Sequence, residues 1–120
     1  MAARRPDPFI EHLLELMGPL AARIGAISAR RMFGGHGLFY DGLMFALVSG
    51  GQCYLKADDK TLAQFEAQGS HAFRYASSRG EVTLRHYLTL PPECLESPAA
   101  MTPWAQMAVE AALRLANQKG

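Results

Sequence analysis

A glycine-rich stretch with one histidine is the part of this chain whose residue types most suggest ligand chemistry. Residues 33–39 read F-G-G-H-G-L-F. Phosphate-binding turns use such glycines, because they let the backbone approach a ligand closely. The dinucleotide fingerprint G-x-G-x-x-G fails here, since Tyr40 stands in place of the third glycine and strand-like residues follow. A G-x-x-G nucleic-acid clamp also fails, because that clamp joins two helices.

A structural bend is the alternative reading of the same residues. Hydrophobic, strand-like residues flank the stretch, and glycine inside a strand marks a bulge or a kink. We therefore predict a bend at Gly34–Gly37 within one long first strand, with His36 exposed on it. Gly35 and His36 stay candidates for contact with a ligand or partner, because the glycines permit close approach. A small-ligand binder or an enzyme centred on Gly34–Gly37 is thus one open function.

Other residues that could catalyse a reaction do not form a recognisable motif. The histidines show no H-x-H or H-E-x-x-H spacing, and no C-x-x-C pair exists. Cys53 and Cys94 are predicted to be buried free thiols. Asp58 or Asp59 is predicted to cap a helix rather than to form an acid pair. We predict no catalytic residue, no metal site and no cofactor, and hence a protein that is not an enzyme.

The charge distribution bears on nucleic-acid binding. Net charge is only +1, from 12 basic and 11 acidic residues, which argues against a strong polyanion binder. If they share a sheet face, Arg30 and Arg31 would form a modest basic patch with Arg74 and Arg85. Tyr75 and Tyr87 would then add surfaces on which bases stack. Weak nucleic-acid binding is therefore an alternative function. The competing interpretation is that these arginines are only solvated or paired with acidic residues.

The elements that must position these residues follow from periodicity and turn chemistry. Helices are predicted at residues 8–17, 60–68 and from Pro103, with a short helical turn from Pro98. Strands are predicted from Ile27 to Ala57, with hairpin turns at 41–42 and 50–51, and again at 71–75 and 81–90. In the last strand one face is assigned to Val82, Leu84, His86 and Leu88, and the opposite face to Thr83, Arg85 and Tyr87.

This pattern predicts a single α+β domain over residues 1–120, ordered α-β-β-β-α-β-β-α. The amphipathic N-terminal segment, interrupted by Glu11 and Glu15, is not a signal peptide, and nothing reaches transmembrane length. The expected location is the cytoplasm.

Several blocks together resemble the TfoX/Sxy N-terminal domain family. They are R-M-F-G-G-H-G-L-F at 31–39, D-G-L-M-F at 41–45, Y-L-K-A-D at 54–58, F-R-Y at 73–75 after Gly69, and the spacing Tyr87, Pro91, Trp104-Ala105. The similarity runs from about Met17 to Ala116. It implies a two-layer fold with a five-stranded antiparallel sheet, like secretion-chaperone domains, and a role near the regulation of natural competence in bacteria. It supplies no catalytic residue.

A protein-interaction module is the function that the residues and the resemblance favour jointly. An aromatic-rich, alternating sheet offers an open face or edge for a protein partner or for a homodimer. The candidate contacts are Gly35, His36, Tyr75 and Tyr87. We predict a cytoplasmic, non-enzymatic regulatory module that needs no cofactor and does not act at a membrane.

Overall fold

The structure is a computed structural model that describes residues 7–32 and 34–118. Within these residues, four helices, six strands and one 3-10 turn follow each other. They are α1 (Pro8–Leu16), α2 (Gly18–Ile24), β1 (Ile27–Met32), β2 (Gly35–Tyr40), β3 (Leu43–Ser49), β4 (Gln52–Lys56), α3 (Leu62–Ala67), β5 (Ala72–Ser77), β6 (Gly80–Thr89), the 3-10 turn (Pro92–Leu95) and α4 (Pro98–Gln118).

The first helix begins where the sequence predicts. The Asp7 carboxylate accepts a hydrogen bond from the Phe9 amide at 2.9 Å, and Pro8 opens the first turn. Helix α1 ends at Leu16, and α2 starts directly at Gly18 with Pro19 in its own first turn. Gly18–Ile24 is thus a second helix, which the predicted order of elements does not contain.

The sheet has six antiparallel strands in the order β1-β2-β3-β4-β6-β5, so the prediction of five strands is wrong. The predicted bend at Gly34–Gly37 is wrong as well. The chain reverses between Met32 and Gly35, which face each other across the β1–β2 ladder. Gly34 has a φ of 82°, a backbone region that glycine enters without steric cost. The glycines therefore make a hairpin where one long strand was expected.

A β-bulge lies one strand further on. Leu38 pairs with Ala46 and Phe39 pairs with Met44, so Phe45 has no counterpart on β2. Phe45 is completely buried. An extra residue in one strand bends that strand and re-aims its side chains, which here sends a large ring into the core.

All helices pack against one side of the sheet. The core contains Leu13, Leu20, Phe45, Leu55 and Met101, and α4 lies across β3 and β4. Helix α4 runs unbroken through Pro103, so the separate turn predicted from Pro98 is wrong. Proline inside a helix removes one backbone hydrogen bond, and tertiary packing outweighs that loss here. The neighbouring Trp104 ring meets Phe65 edge to face at 5.0 Å.

The β5–β6 hairpin leaves the plane of the sheet. Ala72 pairs with Leu88 but Phe73 pairs with Leu84, so residues 85–87 of β6 have no counterpart on β5. Leu88 consequently faces the core while Leu84 lies on the other side of the sheet. The prediction that these two leucines share a face is therefore wrong, because the bulge breaks the strict alternation that it assumed.

No helix within residues 7–32 and 34–118 has both the length and the apolar character of a membrane span.

Two glycine substitutions test the packing around the first hairpin. A Cβ on Gly35 would collide with the backbone carbonyl of Val48, whereas one on Gly37 would meet the Met44 and Met32 sulfurs at 2.7 and 2.8 Å. Backbone cannot move aside without breaking the ladder, but thioether ends can. We expect Gly35→Ala to lower the free energy of unfolding by about 3 kcal/mol and Gly37→Ala by about 1 kcal/mol.

Urea unfolding followed by circular dichroism measures both values. Equal losses for the two variants would contradict the contrast between backbone and side-chain contacts.

Candidate functional site

The side of the sheet that the described helices leave uncovered carries an apolar groove. One flank of the groove is lined by Met32 of β1 and by Met44 and Leu47 of β3. The other flank is lined by Phe73 and Tyr75 of β5 and by Leu84 of β6. Its volume is about 530 Å³. We call this surface the open-face groove.

Sheet curvature creates the groove. The strands β1 and β5 occupy opposite edges of a six-stranded sheet, which in a flat sheet would place them roughly 24 Å apart at the usual strand spacing. Met32 of β1 and Tyr75 of β5 nevertheless line one groove. The β5–β6 hairpin therefore curls over the open face, starting from the unmatched residues 85–87.

Aromatic rings form the wall that the hairpin contributes. The Phe73 ring meets Tyr54 of β4 edge to face at 5.0 Å and stacks beside Tyr75 at 5.8 Å. Contacts of this kind fix the hairpin against the sheet. Tyr75 remains 44% exposed, so its ring lies at the surface of this wall, and its contact with a partner stays a prediction.

The glycines of the first hairpin shape the floor of the groove. Gly37 has no side chain, and the Met32 and Met44 sulfurs and the Phe39 ring converge above its Cα. His36 is half-buried within β2, opposite Arg31 and Val48, and is not the exposed tip of a bend. Gly35 also borders the groove, but its contact with the Val48 backbone already accounts for a glycine there.

The four arginines of the predicted basic patch do not lie together. Arg30 extends over the Phe39 ring, with its guanidinium carbon 4.0 Å from the ring centre, and so borders the groove floor. Arg31 is the next residue of the same strand and faces the opposite side. Arg74 alternates with Phe73 and Tyr75, so it points away from the groove. Arg85 is exposed in the β6 bulge.

Lys56 of β4 and the buried Tyr87 of β6 face each other across the ladder, next to Met44 of β3. The ammonium of Lys56 is 4.6 Å from the centre of the Tyr87 ring, and it donates to the Tyr87 hydroxyl at 3.4 Å. That hydroxyl lies 3.5 Å from the Met44 carbonyl oxygen. Only 7% of Tyr87 is exposed, and burial raises its pKa to about 12. Tyr87 therefore supports the sheet and offers no stacking surface, in contrast to its predicted contact role.

The cysteines occupy the core beneath the sheet. Both are buried and free, as predicted. Burial raises the pKa of the Cys94 thiol to about 12 and that of the Cys53 thiol still further. Because the nucleophile is the thiolate, neither side chain is activated at neutral pH.

An ion pair joins the end of the sheet to the last helix. Arg114 donates from Nε to Asp58 Oδ2 at 2.6 Å and from Nη2 to Oδ1 at 3.0 Å. The Asp58 carboxylate also accepts from the Lys60 amide and the Thr61 hydroxyl, at 3.1 and 3.2 Å. It thus organises the turn before α3, while Thr61 occupies the N-cap position. The prediction that Asp58 or Asp59 caps the helix is therefore wrong, because the Asp58 carboxylate bonds within the turn ahead of α3 and Thr61 holds the cap position.

A shallow cleft adjoins this ion pair. His86 Nε2 lies 4.0 Å from the exposed Asp59 carboxylate. Among the described residues, no three metal-ligating side chains come together in this cleft or elsewhere.

Sequence reasoning missed most of the groove. Met32, Met44, Leu47 and Leu84 read as ordinary core residues, because their apolar character does not reveal which side of the sheet the helices cover. The available signal was the unbroken apolar run at residues 43–48, which puts apolar side chains on both faces of β3.

The Asp58–Arg114 pair makes stability depend on acid. The hydrogen bonds from Arg114 lower the pKa of Asp58 from 3.8 to about 2. A depressed pKa in the folded state contributes stability above the unfolded-state value of 3.8, and this is lost as the pH falls toward 2. We expect about 2 kcal/mol from this group at neutral pH. Urea unfolding from pH 6 to about pH 2 should show Asp58→Asn converging on the parent protein in acid.

Arg114→Gln should lose a comparable stability at neutral pH, because it leaves a buried carboxylate without its cation. The control is Arg23→Gln, since the bond from Arg23 to the Gln106 amide oxygen is solvent-exposed and its loss should be tolerated. A constant difference between Asp58→Asn and parent across the whole pH range would contradict this account.

Comparison with known proteins agrees with the sequence resemblance. The TfoX N-terminal domain model matches residues 19–112. The DNA transformation protein TfoX1 of Aliivibrio fischeri is 30% identical over 101 residues, which cover 84% of this chain and 48% of that protein. The chain thus spans about half the length of this curated relative. The match includes all six strands and most of α4, and the chain therefore belongs to the TfoX N-terminal domain family.

Proposed function

We propose that this chain is a non-enzymatic regulatory module that binds a protein partner through the open-face groove. One observation carries the proposal: an apolar groove of about 530 Å³ lies on the side of the sheet that the helices of the described chain leave uncovered. Apolar side chains concentrated in a concave site are typical of binding sites, whereas single exposed hydrophobic residues occur on most protein surfaces.

The chemistry of the groove supports binding over catalysis. Its lining is made mostly of thioether, aliphatic and aromatic side chains, with the hydroxyls of Ser49 and Tyr75 and with no histidine, cysteine or carboxylate among them. The two thiols are buried elsewhere and their pKa values are raised. A hydroxyl nucleophile or general acid needs an activating neighbour, and the Ser49 and Tyr75 hydroxyls have no histidine or carboxylate beside them among the lining residues.

Family membership supports a regulatory role. The relative is called a DNA transformation protein, and this chain covers the N-terminal-domain model of its family. Regulation of DNA uptake by contact with another protein is the corresponding proposal for this chain. We further propose action in the cytoplasm, where free thiols such as Cys53 and Cys94 stay reduced. A homodimer formed through an exposed sheet edge stays a prediction.

Nucleic-acid binding is the second candidate, and the distribution of charge favours it. The six strands hold five of the twelve basic residues and one of the eleven acidic residues, so the sheet is basic although the chain is near neutral. These strand residues are Arg30, Arg31, Lys56, Arg74, Arg85 and Glu81. Against it, the arginines point to different sides, and the Phe73 ring is already packed on both Tyr54 and Tyr75.

A pair of charge insertions tests the protein-binding proposal. Leu47→Glu places a carboxylate in the groove, whereas Thr83→Glu places one on the exposed residue that pairs with Arg74 on the other side. We expect affinity enrichment from cells of the source organism, quantified by mass spectrometry, to recover partners with the parent protein and Thr83→Glu. Leu47→Glu should lose at least about 90% of the same partners, as a charge buried at an interface does.

The nucleic-acid candidate has its own measurement. Fluorescence anisotropy with labelled duplex DNA and single-stranded RNA at low salt should show no saturable binding. Saturable binding that weakens with salt and in an Arg30→Ala/Arg31→Ala variant would replace the protein-binding proposal with the nucleic-acid one.

A further inference from the structure

The charge around the groove has one sign. None of the strands β1 to β5 contains an aspartate or a glutamate, and Glu81 of β6 is the one acidic residue in the sheet. By alternation, Glu81 lies on the side away from Val82 and Leu84, and Leu84 lines the groove. The charged residues assigned to the groove side of β1 to β4 are Arg30 and Lys56.

Arg30 is held in place at the edge of the groove floor. Its guanidinium lies 4.0 Å from the centre of the Phe39 ring, and a ring atom of Phe39 lies beside the Met32 and Met44 sulfurs above Gly37. The two ion pairs among the described residues use other cations. A guanidinium that stacks on a ring keeps its hydrogen-bond donors at the periphery, where a planar carboxylate can receive two of them.

Lys56 brings a second positive charge next to the same floor. It lines a cleft that shares Met44 with the open-face groove, and its ammonium is oriented by the Tyr87 ring. Arg30 and Lys56 thus lie on either side of the thioether floor, on the first and fourth strands of the sheet.

From this arrangement we infer that the groove binds an extended segment of a partner protein whose apolar side chains are flanked by carboxylates. The apolar residues of the segment fill the groove between the methionines and the Phe73–Tyr75 wall, and a flanking aspartate or glutamate binds Arg30. Complementary charge at an apolar site sets the choice and register of the partner. This inference rests on the proposed protein-binding function and adds the chemical class of the partner.

A peptide rather than a nucleic acid fits the apolar lining. Met32, Met44, Leu47 and Leu84 present sulfur and aliphatic carbon, which bury hydrophobic side chains but give bases no aromatic face to stack on. Tyr75 is the exposed ring of the groove wall, and a single ring supports one base at most.

Selection from a random peptide library displayed on phage tests this inference. The parent protein is the bait, and Leu47→Glu and Tyr75→Ala are the counter-selection baits, each first shown to be folded by circular dichroism. Two variants are used because Tyr75 is exposed and its loss does not threaten the core. We expect peptides selected by the parent alone to be enriched in Asp and Glu beside Leu, Phe, Ile or Met.

The synthetic form of the most enriched peptide then serves as the probe in fluorescence anisotropy. We expect Arg30→Gln to weaken its binding roughly fivefold, as loss of one charge-assisted contact does. Arg30→Lys should recover most of the affinity, and Arg74→Gln, on the other side of β5, should change nothing. Raising the salt from about 50 to about 300 mM NaCl should weaken binding to the parent more than to Arg30→Gln.

The possible failures are distinguishable. Groove-dependent peptides that lack acidic residues, or that bind Arg30→Gln as well as the parent, would overturn the inference and leave the protein-binding function standing. A folded parent protein that selects no groove-dependent peptide would overturn both. Sedimentation could instead show that the parent protein self-associates and that Leu47→Glu abolishes this. That result would assign the groove to a second copy of the chain and overturn the inference of an acidic partner segment.

Discussion

The loss of register between β5 and β6 is the constraint on which the rest of this surface depends. Residues 85–87 of β6 have no partners on β5, and the hairpin beyond them turns over the open face. Without that turn, Leu84 would lie with Leu88 against the helices, and Phe73 would have no Tyr54 to meet. A local mismatch of hydrogen bonding thus converts a flat sheet edge into the wall of a groove.

The opposite side of the domain is held by ordinary burial and one charged link. The core gathers the helices against β3 and β4, and the Asp58–Arg114 pair ties the end of the sheet to α4. Each half of the pair is satisfied by two or more hydrogen bonds, which is the condition under which a poorly solvated ion pair is stable. Helices, core and ion pair therefore lie on one side, and the other side carries the open-face groove.

Local chemistry made much of this fold predictable. Asp7-Pro8 located the first helix. The two predicted hairpin turns, Asp41-Gly42 and Gly50-Gly51, have the positive φ that such turns require. The predictions that failed concern which strands pair with each other and in which register. A hairpin and a kinked strand place the same glycines between the same apolar residues, and only the partner strand decides between them. The groove was missed for the same reason, because Leu84 and Leu88 differ in environment and not in residue type.

The thioethers at the floor of the groove have a consequence for the proposed binding. Methionine side chains are unbranched and polarisable, so the pair that meets above Gly37 can repack around ligands of different shape. A methionine-lined surface of this kind accommodates apolar side chains of different shapes, while the charged groups that would select a ligand lie at its rim. For the proposed protein-binding function, this means that the bound segment can vary in sequence while the groove keeps the same residues.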